Sequence, residues 1–246
     1  MINIDKSNKK YKIEKKKDKK YKQESKDKEQ NIVSKEILIE SCKKSFKINY
    51  IFYISLLVSC IILSLKKKES FLGYIWSLIM VSSLGYFYHY VSHKLSATDY
   101  FMNSNNIFKH IPITNVIGKK ICNIIDFHHD IHHDTNINKQ PINIFYEFMN
   151  NFLSQGLNAF ILIKIARSLN ERACFIWGLL YATVHNINYM IWPPSTHRDH
   201  HIDNKTNFGI DIYDIIFGTK YDWDDIENIN HYSFNLIIIS LIFSVL

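Results

Sequence analysis

Glycine and proline are scarce, at 7 and 4 in 246 residues. No Pro/Gly-rich linker divides the chain, and no glycine-rich loop of the flavin or nicotinamide type can be drawn. Cysteine is scarce too. Cys42, Cys60, Cys122 and Cys174 stand at neither CxxC nor zinc-ribbon spacing, and nothing in them suggests an oxidising compartment. No HExxH occurs, which removes the usual signature of a membrane zinc hydrolase. No internal repeat is visible. The first residues lack the apolar core and small-residue cleavage site of a secretory signal, so they are not read as one.

What is abundant is unevenly placed. Residues 1–47 carry 16 of the 30 Lys+Arg and 8 of the 23 Asp+Glu, a net +8, and the remaining 199 residues are net −1. The basic balance therefore belongs to a tail. That tail has too few apolar residues to offset its ordering entropy, so a disordered segment 1–47 is expected, followed by one domain at 48–246. Attraction to anionic headgroups is the alternative reading of its lysines. No base-reading or stacking element accompanies them, so no nucleic-acid partner is expected.

Apolar residues crowd four later runs. Asn49–Leu65 and Phe71–Val91 are near the length needed to cross roughly 30 Å of hydrocarbon at 1.5 Å per residue. Only KKKES, Lys66–Ser70, separates them. Phe152–Ala166 and Ala173–Trp192 form a second pair about the turn SLNER, Ser168–Arg172. A last stretch, Tyr232–Leu246, is short for a span and suits the interface or a bundle cap. The expected fold is all-α: a polytopic membrane bundle of about four transmembrane helices in two hairpins. Two hairpins return the chain to its starting side. Residues 1–47, 94–150 and 193–231 should then share one face, and the lysine-rich tail favours the cytoplasmic one.

The twelve histidines fall in clusters. His89 and His93 make HxxxH at the end of the second run. His129, His132 and His133 make HxxHH, and His197, His200 and His201 make another. His185 lies alone in the fourth run, where a polar group is a functional candidate by default. Residues three and four apart share a helix face, so each cluster can present two imidazoles to one ion. Eight clustered imidazoles exceed the four ligands of a closed zinc site and suit a pair of metals. Nitrogen-rich donors fit iron, zinc, copper or nickel. No cysteine or glutamate joins the clusters in sequence. Asp126, Asp130, Asp134, Asp199 and Asp203 flank them, either as acceptors of ring N–H groups or as solvated loop carboxylates. His110 and His231 are isolated and read as structural.

HxxxH, HxxHH and HxxHH beside apolar runs resemble the fatty acid hydroxylase and sterol desaturase superfamily of membrane di-iron enzymes. The likeness covers about residues 50–220 and is most specific over His185–Thr219. There, HNINYMIWPPSTHRDHHIDNKTNFGIDIYDIIFGT matches that family's final segment: a histidine near the end of a span, HRxHH, an Asn-aromatic-Gly turn and a run ending in FGT. Two departures stand out: Asn186 and Asn188 flank the position of a usual asparagine, and QPINIFYEF, with Gln140, Pro141 and Glu147, replaces a usual His-Pro and Glu.

The resemblance implies that His89, His93, His129, His132, His133, His185, His197, His200 and His201 bind two iron ions, which zinc can replace in purified material. It implies a lipid substrate such as a fatty acyl chain or sterol, oxidised with O2 by hydroxylation or desaturation. Electrons would come from a partner such as cytochrome b5 or a reductase. An endoplasmic reticulum-type membrane is the expected location. No protein acid or base is assigned. The alternative is a membrane metal-binding or metal-transport protein without oxygenase activity. Transporters, however, place ligands near the bilayer midplane, and most of these lie beyond the span ends.

Overall fold

The computed structural model describes residues 33–103, 105, 107–127, 141–157, 169–192, 194–203 and 205–246. These residues are helical wherever they are regular, with no strand among them. The chain divides into two units, Met1–Glu40 and Ser41–Leu246. In the first, the described residues end in the opening turns of helix α1, Lys35–Ile48, where Ser34 Oγ accepts the Ile37 N–H at 3.3 Å.

Helix α1 lies largely inside the segment expected to be a disordered tail, so that expectation is corrected over Lys35–Lys47. The reason is that the buried face of this helix is polar. Ser41 and Ser45 are buried one turn apart while Ile37, Ile39 and Phe46 are exposed, so no inward apolar stripe marks the helix in sequence.

Helix α2 is Tyr50–Lys67 and α3 is Phe71–Ser92; both are long and apolar enough to cross a membrane. The turn between them is tight. Lys68 closes α2 in the left-handed region at φ 55°, and the Ser70 hydroxyl caps α3 by accepting the Gly73 N–H at 3.1 Å. The faces of α2 invert the water-soluble pattern. Ser55, Ser59 and Cys60 point inward beside Phe52 and Leu63, while Ile51, Ile54, Leu57 and Ile61 point outward. Small hydroxyl residues at helix contacts with branched aliphatics outside are the arrangement helices adopt in lipid.

Short helix α4, Ala97–Asn103, a 3₁₀ turn at Ile107–His110 and helix α5, Pro112–Phe127, follow α3. Helix α6, Pro141–Phe152, runs into a π turn, Leu153–Leu157. The third expected span then passes mostly outside the described residues. The fourth is helical in three pieces: α7 at Glu171–Thr183, a π turn at Val184–Asn188 and a last turn at Tyr189–Ile191. Gly156, in the π turn after α6, and Gly178, on α7, let these two elements touch. A Cβ on Gly156 would stand 2.9 Å from the Cys174 carbonyl oxygen, and one on Gly178 2.9 Å from that of Phe152.

Helix α8, Ser195–Ile202, and α9, Asp211–Phe217, lead to α10, Tyr232–Val245, which packs on α2 and α7. Two asparagines hook α10 to the start of α2. Asn49 donates to the Glu227 carbonyl at 2.9 Å and accepts the Ile229 N–H at 2.8 Å. Asn230 donates to the Ile48 carbonyl at 2.7 Å and accepts the Phe52 N–H at 3.1 Å. The core fills the space between these helices with Phe52, Leu63, Tyr74, Ile176, Leu180 and Leu236.

The turn before α3 meets the turn before α7. Glu69, in the first, accepts the Tyr74 hydroxyl and the Asn170 side-chain amide, each at 2.6 Å, and pairs with Arg172 at the start of α7. Both turns thus lie at one end of the bundle. His89 and His93 are at the other end of α3.

Candidate metal centre

Three elements bring imidazoles together: the end of α3, helix α8 and the turn that follows α8. The turn is built first by its own residues. Asn207 is in the left-handed region at φ 54°, a conformation asparagine tolerates better than most residues. Its amide donates to the Thr196 carbonyl at 3.0 Å and its side-chain oxygen accepts the Tyr221 N–H at 3.1 Å. The buried Asp214 carboxylate accepts the N–H groups of Phe208 at 2.8 Å and Gly209 at 3.1 Å, and the Thr219 hydroxyl at 2.7 Å. Burial pushes the Asp214 carboxyl up to about 7, against the pull of those three donors.

This turn then fixes two histidines. His89 Nδ1 lies 2.5 Å from the Phe208 carbonyl oxygen, and His200 Nδ1 lies 2.5 Å from that of Thr206. A carbonyl only accepts, so both Nδ1 atoms carry the proton and both Nε2 atoms present a lone pair. Those lone pairs converge on His93, whose Nε2 is 3.0 Å from that of His89 and 3.1 Å from that of His200. His93 can carry one proton on Nε2, and that proton can point at only one of them, so the two contacts are not both hydrogen bonds. A cation among them would instead take a lone pair from each of the three imidazoles. Two nitrogens about 2.1 Å from one ion and about 90° apart would lie roughly 3.0 Å from each other, the spacing seen. His89, His93 and His200 form a cluster of ligand atoms within 4.8 Å of one another, and it is the one group of three among the described residues. Phe208, itself buried, packs its ring 5.7–5.8 Å from all three imidazoles.

A second set stands beside the first, the His197 ring lying 6.5 Å from that of His200. His197 and His201, one turn apart, hold their Nε2 atoms at 3.2 Å. The His185 ring stands edge-on to that of His197 at 4.8 Å between centroids. His185 is buried in the π turn of the fourth run; such turns recur where a helix must aim a functional side chain. Its Nδ1 lies 3.3 Å from Glu147 Oε1 and 3.2 Å from the Asn151 amide, both on α6. Glu147 therefore joins the histidines, contrary to the sequence reading that no glutamate does. The close approach at Gly156 and Gly178 is what brings α6 within reach.

Of the nine expected ligands, the structure groups His89, His93 and His200, and beside them His185, His197 and His201. His129, His132 and His133 lie outside the described residues, as do Asp130 and Asp134. Among the described residues, backbone carbonyls, and not Asp126, Asp199 or Asp203, take the ring protons of His89 and His200. Asp126 instead caps α4, accepting the N–H groups of Ala97 and Thr98, both at 2.8 Å. Although burial opposes it, those donors hold its carboxyl below the usual aspartate range. His110 is exposed in the 3₁₀ turn, and His231 Nδ1 meets the Asn188 amide at 3.0 Å.

A buried polar group behind the second set has no marker in sequence. Glu227 accepts the Tyr189 hydroxyl at 2.8 Å, and the Tyr189 ring lies 4.7 Å from that of His197. Burial, reinforced by the charge of Asp211, pushes Glu227 up to about 7. The buried Lys220 ammonium bonds Asp211 at 2.5 Å and the Asp225 carbonyl at 2.6 Å. This pairing ties the segment after α9 back onto the helix. A small cavity reaches from His89 and His197 to Asp214 and Glu227.

No family model, curated protein or solved structure matches the chain.

Proposed function

We propose that this chain is a non-haem di-iron oxidoreductase of the fatty acid hydroxylase and sterol desaturase type, which hydroxylates or desaturates a lipid. One observation carries the reading: the Nε2 lone pairs of His89 and His200, fixed by backbone carbonyls, converge on His93 at the end of an apolar helix. A second set, His185, His197 and His201, stands beside the first and suits a second ion. His129, His132 and His133 complete the proposed ligands.

The membrane arrangement proposed is four spans in two hairpins. Support comes from the outward Ile and Leu faces of α2 and from the contact of Glu69 with Asn170 and Arg172, which joins the two turns. The histidines then share the opposite, cytoplasmic face of an endoplasmic reticulum-type membrane.

Bound iron would supply O2 activation toward an unreactive C–H bond. The residues of the chain hold and shield it. His89 and His200 are held in the Nδ1–H tautomer by the 206–208 turn, and Phe208 covers the three imidazoles against water. Asn151 and Glu147 orient His185. Hydroxylation consumes O2, two electrons and two protons, leaving the alcohol and water. The electrons must come from a donor such as cytochrome b5 or a reductase.

The test is metal content together with lipid products. Purified protein should carry about two first-row metal ions per chain. Cells expressing the chain should gain a hydroxylated or desaturated lipid that is absent with His200→Ala. Metal content unchanged by His200→Ala would overturn the metal assignment. Full metal content with no oxidised lipid would favour a binding or transport role.

A further inference from the structure

Helix α5 is built inside out. Its inward side is small and polar: Thr114, Asn115, Gly118, Cys122 and Asp126, spaced one turn apart after the first. Each of these except Cys122 has work to do on the neighbouring backbone or ring. Thr114 donates to the Phe108 carbonyl at 2.5 Å, and Asn115 donates to that of Lys109. Gly118 admits the Phe101 ring, which a Cβ there would meet at 2.4 Å, and Asp126 caps α4. The outward side is aliphatic apart from Lys120, which stands among the aliphatic residues. Ile113 is 72% exposed, Val116 56%, Ile117 52% and Ile121 53%, at the i, i+3, i+4, i+8 spacing of a continuous stripe. A helix facing water carries the reverse pattern.

We propose that this face of α5 lies in the lipid interface, on the histidine side of the membrane, with its axis along the membrane plane. Two features select lipid over a protein partner. First, the stripe continues the apolar outer face of α3: Phe87 and Val91 at the end of that helix, then Leu95 and Tyr100, are exposed on the path into the α4–α5 segment. Second, Lys119 and Lys120 are exposed on the same helix, and Lys94 just after α3 lies over the Tyr90 ring at 4.3 Å. Aliphatic residues at the acyl boundary with lysines reaching headgroup phosphates define an interfacial helix. The inference rests on the membrane reading of α2 and α3, and the experiment separates the two.

Full-length protein carrying Cys42→Ser would receive a single nitroxide at Ile117→Cys, Ile61→Cys or Asp222→Cys. Each would be placed in nanodiscs of phosphatidylcholine with phosphatidylserine. Collision with oxygen, which concentrates in lipid, would be compared with collision with a water-soluble nickel chelate. At Ile117 oxygen should exceed the chelate by at least about twofold, as for a residue at the acyl boundary. Asp222 should show the reverse. A chelate-dominated signal at Ile117 with a lipid signal at Ile61 overturns the inference alone. Shielding of Ile117 from both reagents overturns it too, by showing that residues 128–140 or a second copy covers the stripe. A chelate-dominated signal at Ile61 as well overturns the membrane reading itself.

Discussion

The Asp214 carboxylate accepts the Phe208 N–H at 2.8 Å, and the Phe208 carbonyl faces His89 Nδ1 at 2.5 Å. One residue of main chain thus connects a buried acid to a candidate ligand that it never touches. Asp214 is a positioning residue. Asp214→Asn keeps the shape but turns an amide N–H toward a backbone donor. A buried group left unsatisfied costs about 1–3 kcal/mol. Thermal unfolding should register that loss, and metal content should fall with it. Asp214→Glu, which keeps the acceptor, should restore part of the metal. Equal metal content in wild type and Asp214→Asn would break the proposed link between the acid and His89.

Glu227 gives stability a pH dependence. Burial and Asp211 raise its carboxyl from the ordinary 4.5 to about 7, so the folded chain holds a proton that the unfolded chain releases. The sign follows: stability falls as pH rises from about 4.5 to about 7, and the penalty is complete above that. Glu227→Gln should flatten this fall and raise stability at pH 8. Asp214, pushed into the same range, should retain the remaining slope. Unfolding midpoints across that window, in one detergent, decide it; an unchanged slope would mean Glu227 stays ionised in the fold.

His185 separates a ligand from a merely buried imidazole. Glutamine can keep a hydrogen bond to Asn151 but is a poor replacement for imidazole nitrogen at iron or zinc. His185→Gln should therefore lower metal occupancy, with the protein still inserted and folded. His110→Gln, in the exposed 3₁₀ turn, should leave metal content unchanged. Elemental analysis of both variants checks this. Full occupancy in His185→Gln removes it from the second set.

The proposed topology, in which the two turns that meet at Glu69 and Arg172 share one side, can be tested by accessibility. Tags in KKKES and SLNER should react from one side of the membrane only. Tags before residue 48, near 115 and near 225 should react from the other. Opposite accessibility for 115 and 225 would defeat the two-hairpin arrangement.

The triad of His89, His93 and His200 was legible because both of its contributors announce themselves at helical spacing: HxxxH in one helix and HxxHH in another. The partners of their Nδ1 atoms were not, because carbonyl oxygens carry no letter in a sequence; the flanking aspartates drew attention instead. Glu147 was hidden for a different reason. Its distance from His185 is closed by the contact of Gly156 with Gly178, and neither glycine advertises which helix it will touch. Helix α1 escaped because its buried positions are serines. The long apolar runs of α2 and α3 were plain from composition, whereas the π turn that interrupts the fourth run at His185 has no compositional mark.

Because main-chain oxygens orient His89 and His200, no side-chain substitution can delete the acceptors themselves. The vulnerability moves to whatever sets the path of the turn. Asn207 in its left-handed conformation and Gly209, where a Cβ would stand 3.0 Å from the Tyr86 ring, become the positions at which drift is expected to be punished. Residues that never approach a metal would then be held as tightly as the ligands. In a designed version of this centre, the turn would have to be transplanted together with the histidines.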